Sequence, residues 1–276
     1  MRIIKDIIRT MRPYLWYRNF LLFAGIVFSS RLGELNIWSK VLAAFVIFCG
    51  ISGMTYIFND IVDKDRDRKS RHNKAKRPIA DGKLSIFSMS LFTIIGTLFF
   101  VFISFRLTLG FGFLCLAYCM LSVLYSLILK HIIIAGEVAK AFGFVLRAIA
   151  GCVVINQSFS SWLVVCTFLV ALMLSLAKKN YENSETAWNS LTETSGGMAI
   201  MAYMLWAVGK DTLWIASWKY NLLLITIPFV CYALLRYIYL VNTKRVEPEV
   251  SAIKDMGVLI SSVTWICLIG IIAILK

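Results

Sequence analysis

Apolar runs of about 20 residues recur along nearly the whole chain, and this feature restricts the fold more than any other. Of the 276 residues, 59% are hydrophobic and only 16% are charged, with a mean hydropathy of +0.77. Runs of this length match the thickness of a bilayer, in which helices satisfy their own backbone hydrogen bonds. The sequence therefore predicts an all-α polytopic membrane protein that forms a single domain over 1–276.

The apolar runs predict about nine transmembrane helices around a central cavity. The predicted spans are 15–30, 40–58, 86–105, 109–128, 132–155, 160–177, 196–209, 220–241 and 256–275. Lysine and arginine concentrate at the N-terminus and in alternate loops, so we expect a cytoplasmic N-terminus and an external C-terminus. The two large polar loops, 59–85 and 178–195, are then cytoplasmic, and we expect them to form a polar cap over one site.

The most charged stretch of the chain begins with closely spaced side chains that carry oxygen. On a helix, Asp60, Asp63 and Asp67 follow the i, i+3, i+7 spacing of one face. Asn59 lies one turn before Asp63, whereas Asp65 falls on another face. Three carboxylates in one small volume repel one another unless cations lie among them, so we predict a magnesium ion bound with a phosphorylated substrate. A solvated loop that only follows membrane topology is the alternative.

A basic run follows the carboxylates and includes Lys74, Lys76 and Arg77. Pro78 and Gly82 mark a turn before the next apolar run. The cations can supply positive charge to phosphate oxygens, or they can belong to an ordinary basic loop.

Ionisable residues inside apolar runs are costly unless they face a cavity or a partner, which singles out Glu137, Lys140, Arg147 and Arg236. Glu137 and Lys140 are three residues apart and can pair on a helix. Lys140 and Arg147 are seven apart and share a face, which predicts a basic stripe. The alternative is a buried ion pair with an arginine that extends toward the membrane surface.

The predicted sixth span ends in the polar segment LAKKNYENSE. Lys178 and Tyr181 are three residues apart, and Lys178 and Glu182 are four apart. Either these side chains bind a polar ligand, or the cations only favour the C-terminal end of the helix dipole. Both readings stay open.

The formal net charge of +14 does not indicate nucleic-acid binding, because the cations cluster in loops where membrane topology requires them. All seven cysteines lie within apolar runs and lack CxxC spacing, so we predict packing thiols and no zinc site.

Several motifs resemble those of the UbiA superfamily of intramembrane prenyltransferases. The block NDIVDKDRD, followed by KAKRPIADGKLS, is similar to the first aspartate motif of that superfamily, N-D-x-x-D-x-x-x-D. The superfamily usually carries a second motif, D-x-x-x-D, after the sixth span, where this chain has Lys178 to Glu182. That segment resembles the GKRYAE-like segment of the decaprenyl-phosphate phosphoribosyltransferase branch. RPYLWYRNFLLFA, GFVLRAIAG at 143–151 and RVEPEV at 245–250 agree with the same branch.

The resemblance implies a bacterial inner-membrane enzyme that transfers 5-phosphoribose from phosphoribosyl diphosphate to a polyprenyl phosphate and releases diphosphate. It implies Mg²⁺ on Asp60, Asp63 and Asp67, next to the leaving diphosphate. The residues predicted to bind substrate are Arg18, Asn19, Asn59, Lys74, Arg77, Glu137, Lys140, Arg147, Lys178 and Tyr181. Arg77 and Lys74 would hold donor phosphates, and Lys178, Tyr181 and Arg147 the 5-phosphate or the lipid phosphate. Whether copies associate into a homo-oligomer stays open.

Two other functions remain as alternatives. A prenyltransferase would move a polyprenyl chain from its diphosphate to an aromatic acceptor, and the missing second aspartate pair argues against it. A transporter would also place charges at membrane depth, but such folds are commonly built from two repeats, and the acidic block occurs once.

Overall fold

A computed structural model describes residues 2–27, 33–69, 77–183, 186–209, 213–215, 218–244 and 254–274. The α-helices in chain order are α1 Arg2–Met11, α2 Ala24–Val27, α3 Leu35–Val62, α4 Lys64–Lys69, α5 Ile86–Leu107, α6 Leu109–Leu127, α7 Ala135–Val153, α8 Ser161–Asn183, α9 Thr186–Val208, α10 Ile227–Lys244 and α11 Met256–Ile274. Short 3₁₀ segments span Pro13–Phe23, Leu129–His131 and Leu222–Thr226.

The predicted α-helical architecture is confirmed, and one short pair of strands is added to it. Leu213–Ile215 (β1) and Trp218–Tyr220 (β2) form a short antiparallel ladder between α9 and α10. Their sequences, LWI and WKY, are rich in the aromatic and branched residues that favour strands. The described residues are otherwise mainly helical.

Among the described residues, five helical stretches are long and apolar enough to cross a membrane, which makes the chain a multi-pass membrane protein. They are Leu35–Val62, Ile86–Leu107, Leu109–Leu127, Ser161–Asn183 and Leu222–Thr243. Helix α7 falls outside this set because Glu137, Lys140 and Arg147 interrupt its apolar sequence. The count of nine spans stays a prediction.

Both predicted polar loops contain the ends of helices. Helix α8 continues to Asn183 and α9 begins at Thr186, so most of 178–195 belongs to two helix ends. In 59–85, α3 continues to Val62 and α4 follows, and a turn with Gly82 at a φ of 78° leads into α5. The positive φ favours glycine there.

The chain divides into two compact units. Unit 1 contains Met1–Ile26, Gly33–Ala139 and Leu146–Phe159, and unit 2 contains Val27–Leu32, Lys140–Val145 and Ser160–Lys276. In unit 1, α3 is the central helix and packs against α1, the Pro13–Phe23 segment, α5 and α6. Part of its core is formed by Met54 and Ile57 of α3 with Ile79, Leu84 and Met89.

A close backbone approach fixes the second half of α7, which belongs to unit 1. A Cβ added at Gly151 would lie 1.9 Å from the carbonyl oxygen of Leu22, and one added at Gly25 would lie 2.5 Å from the carbonyl oxygen of Gly151. Small residues let backbones approach in this way inside membranes. The contact brings the second half of α7 against the Pro13–Phe23 segment.

In unit 2, α8 pairs with α9 and α10 pairs with α11. One part of its core contains Met173 and Ala177 of α8 with Tyr237, Val241 and Val258. Arg236 forms a two-bond ion pair with Asp255, at 2.6 and 3.0 Å, and the same carboxylate accepts a hydrogen bond from the Val258 amide at 3.0 Å. Arg236 therefore binds the residue that caps α11.

Candidate active site

The end of α3 in unit 1 carries the predicted carboxylates. Asp63 interrupts the helix with φ −84° and ψ 1°, yet its amide donates to the carbonyl of Asn59 at 2.9 Å. The amide of Asp67 donates to the carbonyl of Asp63 at the same distance. Helical spacing therefore continues from α3 into α4. Asp60, Asp63 and Asp67, called the acidic row below, are 3%, 7% and 0% exposed, whereas Asp65 is exposed as its position on another face predicts.

Each carboxylate of the acidic row contacts a basic side chain. Arg12 Nη2 lies 2.5 Å from Asp60 Oδ1, and Lys130 Nζ lies 2.7 Å from Asp63 Oδ1. Arg77 Nη1 donates to Asp67 Oδ2 and lies 3.4 Å from Asp60 Oδ1. Arg12, Arg77 and Lys130 are called the counter-ion residues below. These contacts lower the cost of burying three carboxylates.

The expectation that all three carboxylates share one small volume is wrong in this structure. Among the described residues, no group of three or more acidic, histidine or cysteine side chains lies close enough to hold one metal ion. Arg77 bridges Asp60 and Asp67, while Asp63 pairs with Lys130. Basic side chains therefore contact the carboxylates at which we predicted a metal ion.

Arg147 and Asn19 meet in the interior of unit 1. Arg147 is 4% exposed, and its guanidinium donates from Nε to Asn19 Oδ1 at 2.8 Å and from Nη2 to the Tyr118 hydroxyl at 2.7 Å. The group also lies 4.8 Å from the ring centroid of Tyr118 and 5.8 Å from that of Phe48, which are cation–π distances. Asn19 in turn donates to Cys49 Sγ at 3.2 Å.

Tyr56 contacts Arg12, which binds the acidic row. It lies one helical turn before Asp60, and the guanidinium of Arg12 lies 5.5 Å from its ring centroid. Unit 1 therefore combines buried carboxylates with positive charge at the same end of α3.

Arg12, Lys130 and Tyr118 were not predicted as site residues. Arg12 is 48 residues from Asp60 and reaches it from the junction of α1 with the Pro13–Phe23 segment, where its own φ of 51° is left-handed. Lys130 is 67 residues from Asp63 and follows α6. The sequence signal was only charge close to apolar runs, which membrane topology also explains.

The other predicted site residues are distributed over the two units. In unit 1, Glu137 is buried in the first turn of α7, and Asn59 Oδ1 accepts a hydrogen bond from Ser126 at 3.2 Å. In unit 2, Lys140 is half-buried. Lys74 lies outside the described residues.

The last turn of α8 in unit 2 presents Lys178 and Tyr181 on its exposed surface. Between them, Asn180 is buried and donates to Asn242 Oδ1 at 3.1 Å, and Asn242 donates to Glu193 Oε1 at 3.0 Å. This chain of hydrogen bonds joins α8, α10 and α9. It fixes the helix turn that carries the two predicted substrate-binding side chains.

The donor set of the acidic row fits a hard divalent cation. Carboxylate oxygens are the ligands that magnesium prefers, and the Asn59 amide oxygen adds another donor of the same kind. For one ion to contact two of these carboxylates, the guanidinium of Arg77 must leave the space between Asp60 and Asp67.

These features define a multi-pass membrane protein with a buried acidic site beside a group of arginines. The chain belongs to the UbiA prenyltransferase family, whose model matches residues 20–263. It is 28% identical over 299 residues to the decaprenyl-phosphate phosphoribosyltransferase of Mycolicibacterium smegmatis, covering 97% of this chain and 92% of the relative. The enzyme of the same name from Corynebacterium glutamicum is 25% identical, over 94% of this chain and 84% of that protein.

Solved structures support the fold. A UbiA homologue from Archaeoglobus fulgidus, bound to DMAPP and Mg²⁺, matches with a TM-score of 0.73 over 98% of this chain and 99% of that one, at 16% identity. A digeranylgeranylglyceryl phosphate synthase matches with a TM-score of 0.71 over the full length of both chains, also at 16% identity. The prediction of this superfamily from the NDIVDKDRD motif is confirmed.

Proposed function

We propose that this protein transfers 5-phosphoribose from phosphoribosyl diphosphate to a polyprenyl phosphate and releases diphosphate. The observation that carries this assignment is the contrast between two helix ends. The end of α3 holds the acidic row, whereas the end of α8, where the superfamily usually has a second aspartate pair, holds Lys178, Lys179 and Tyr181. Near full-length relatives that carry a phosphoribosyltransferase name support the same reading.

The acidic row and Asn59 would hold Mg²⁺. When bound, this ion would neutralise the negative charge that develops on the leaving diphosphate. Arg77, which lies between two carboxylates, would bind a donor phosphate oxygen, with Lys74 beside it along the chain. A metal ion and a guanidinium group can bind the same diphosphate, because its several oxygens carry enough negative charge for both.

The reaction exchanges one C–O bond for another. The bond from ribose C1 to the diphosphate oxygen breaks and its electron pair leaves with diphosphate, while an oxygen of the polyprenyl phosphate forms a new bond to C1. That oxygen is already anionic at neutral pH, so the chain needs no strong base for this step. The protein's task is to hold two highly charged substrates next to each other, which requires many cations.

Two arginines of unit 1 suit the second phosphate. Arg18 and Arg147 would supply its positive charge, with Asn19 held in place by the Arg147 hydrogen bond. Lys178 and Tyr181 would contact the 5-phosphate or the lipid phosphate. Glu137 and Lys140 are the other residues that we propose to bind substrate. The exposed apolar side chains of α5, such as Leu98 and Phe102, would face the lipid.

We place the protein in a bacterial inner membrane, with the N-terminus and the acidic row on the cytoplasmic side. The loops rich in lysine and arginine support this orientation. Phosphoribosyl diphosphate is a water-soluble anion that would then enter from the cytoplasm, and the polyprenyl phosphate would enter from the bilayer.

The direct test uses purified protein with Mg²⁺, labelled phosphoribosyl diphosphate and a polyprenyl phosphate. We expect a labelled lipid product and release of diphosphate. A parallel reaction contains a polyprenyl diphosphate and an aromatic acid, the substrates of the alternative prenyltransferase. Prenylation in the second reaction without transfer in the first would replace the assignment.

A further inference from the structure

The inner side of α1 packs on α3. Ile7 and Met11 are four residues apart, so they form one row along the helix, and they pack against the core cluster that contains Met54 and Ile57. Met11 also lies against Gly53, where an added Cβ would come within 2.6 Å of the Met11 side chain. Helix α1 is therefore held in a fixed place beside the second half of α3.

The outer side of α1 combines an apolar row with a basic row. Ile4 and Ile8, called the apolar row below, follow the buried row around the helix and are 63% and 51% exposed. Lys5 and Arg9, called the basic row below, are exposed and come next. Successive residues of an α-helix are rotated by about 100°. Exposed isoleucines therefore lie between the cations and the side that packs on α3.

The place of α1 along α3 defines its depth in the membrane. The 28 residues of α3 rise about 42 Å, which is more than the hydrocarbon core of about 30 Å. A helix that enters the core at Leu35 crosses it in about 20 residues and leaves it near Met54. Because α1 packs at Gly53 and Met54, it lies at the boundary between the hydrocarbon and the headgroups.

Aromatic side chains next to α1 support the same depth. Tyr14 and Tyr17, which follow α1 in the Pro13–Phe23 segment, are 67% and 46% exposed. Tyrosine is enriched where a membrane meets water, because its ring is apolar and its hydroxyl is polar. At this depth an exposed apolar row suits acyl chains, and a basic row beside it suits lipid phosphates.

We infer that α1 lies in the plane of the membrane surface and binds anionic phospholipid. The basic row contacts headgroup phosphates, and the apolar row inserts among the nearest acyl carbons. A phosphate free in water would match the basic row alone, and a second copy of this chain would bring the same cations against it. The bound lipid would also restrain Arg12, the counter-ion residue of Asp60, which follows α1 directly. The inference does not depend on the proposed reaction.

The test measures hydrogen exchange of the α1 backbone amides in the full-length protein in lipid nanodiscs. Exchange follows local opening, so tighter binding of α1 to the membrane slows it. We expect slower exchange in discs that contain phosphatidylglycerol than in discs of phosphatidylcholine alone, by about fivefold for each cation at the anionic surface. In Lys5→Gln combined with Arg9→Gln, this difference should disappear. Lys40→Gln combined with Arg106→Gln removes two exposed charges, early in α3 and late in α5, and should keep it.

Two further arms identify what covers this surface. Ile4→Ser combined with Ile8→Ser should speed exchange in both kinds of disc, because the apolar row no longer binds acyl chains. Glycerol phosphate added to phosphatidylcholine discs should change nothing, and protection by it would assign the basic row to free phosphate and overturn the inference. A lipid effect that survives loss of the basic row would also overturn it, as would protection that needs two copies in one disc. The measurement needs no turnover, so a protein that transfers no phosphoribose can still confirm the lipid site.

Discussion

Arg147 donates from Nε to Asn19 Oδ1 at 2.8 Å and so joins two residues that are 128 positions apart in the chain. Both side chains are buried, and the same guanidinium also binds the Tyr118 hydroxyl. An arginine at membrane depth is costly unless its donors are used. The hydrogen bonds of Arg147 therefore stabilise the packing of unit 1, and its guanidinium also places a positive charge there.

Replacing Arg147 should therefore affect stability as well as substrate use. In Arg147→Leu, Asn19 and Tyr118 each lose a charge-assisted hydrogen bond, and we expect the free energy of unfolding to fall by about 1–3 kcal/mol. The melting temperature of the detergent-purified protein measures this change. Arg106→Leu, at an exposed position in the last turn of α5, is the control and should melt like the unmodified protein. Equal melting of all three proteins would show that the Arg147 contacts are not stabilising.

The backbone approach at Gly151 should tolerate no side chain. In Gly151→Ala the new Cβ would lie 1.9 Å from the Leu22 carbonyl oxygen, so α7 must shift, at a cost of about 1–3 kcal/mol. Gly197→Ala is the matched control, because it is also helical and nothing lies within 4 Å of the added atom. We expect a lower melting temperature for the first variant and an unchanged or slightly higher one for the second. The opposite order would mean that the close approach does not exist.

Asp255 should make stability depend on pH at the acidic end of the range. The hydrogen bond from Arg236, supported by the Val258 amide, lowers the pKa of Asp255 to about 2. The pKa of an aspartate in an unfolded chain is about 3.9. The stabilisation that the ion pair gives the folded state is therefore fully present above about pH 4 and is lost as the pH falls toward 2. The melting temperature of the unmodified protein should exceed that of Asp255→Asn at pH 5, and the difference should shrink by pH 3. A difference that stays constant over this interval would contradict the ion pair, and Asp65→Asn serves as an exposed control.

Lys178 should affect binding of one phosphorylated substrate. Loss of one charge-assisted contact in Lys178→Ala should raise the KM for phosphoribosyl diphosphate or for the lipid phosphate by a factor of about ten. Asn180 remains bound to Asn242, so the helix end should keep its place. Lys40→Ala is the control. A lower kcat with both KM values unchanged would argue against a binding role, and prenylation of an aromatic acid by Lys178→Asp combined with Tyr181→Asp would favour the alternative enzyme.

Local spacing predicted the acidic row but not its partners. The i, i+3, i+7 pattern placed Asp60, Asp63 and Asp67 on one helical face and Asp65 on another, because a helix fixes side-chain direction over short distances. In the structure the first three are buried and Asp65 is exposed. Arg12 and Lys130 lie 48 and 67 residues from their carboxylates, and only tertiary packing brings them there.

The errors in the predicted fold have a similar origin. Hydropathy located the five long apolar helices that the structure describes, while the count of nine spans stays a prediction. It could not show that Pro13–Phe23 forms a 3₁₀ segment or that 178–195 continues two helices. Polar residues extend a helix as readily as apolar ones once its end lies outside the bilayer. Asn19 and Arg147 were predicted separately, from different spans, and their contact depends on the packing of α7.

The most direct test of the account compares Asp63→Asn with Asp65→Asn in the transfer of labelled phosphoribose to polyprenyl phosphate. The two substitutions remove the same charge from residues two positions apart, one buried in the acidic row and one exposed. We expect Asp63→Asn to lose activity by at least about a hundredfold at saturating Mg²⁺, because the leaving diphosphate loses its metal support. Asp65→Asn should stay close to the unmodified enzyme, and excess EDTA should stop it. Full activity of Asp63→Asn, or turnover that continues in EDTA, would contradict the account.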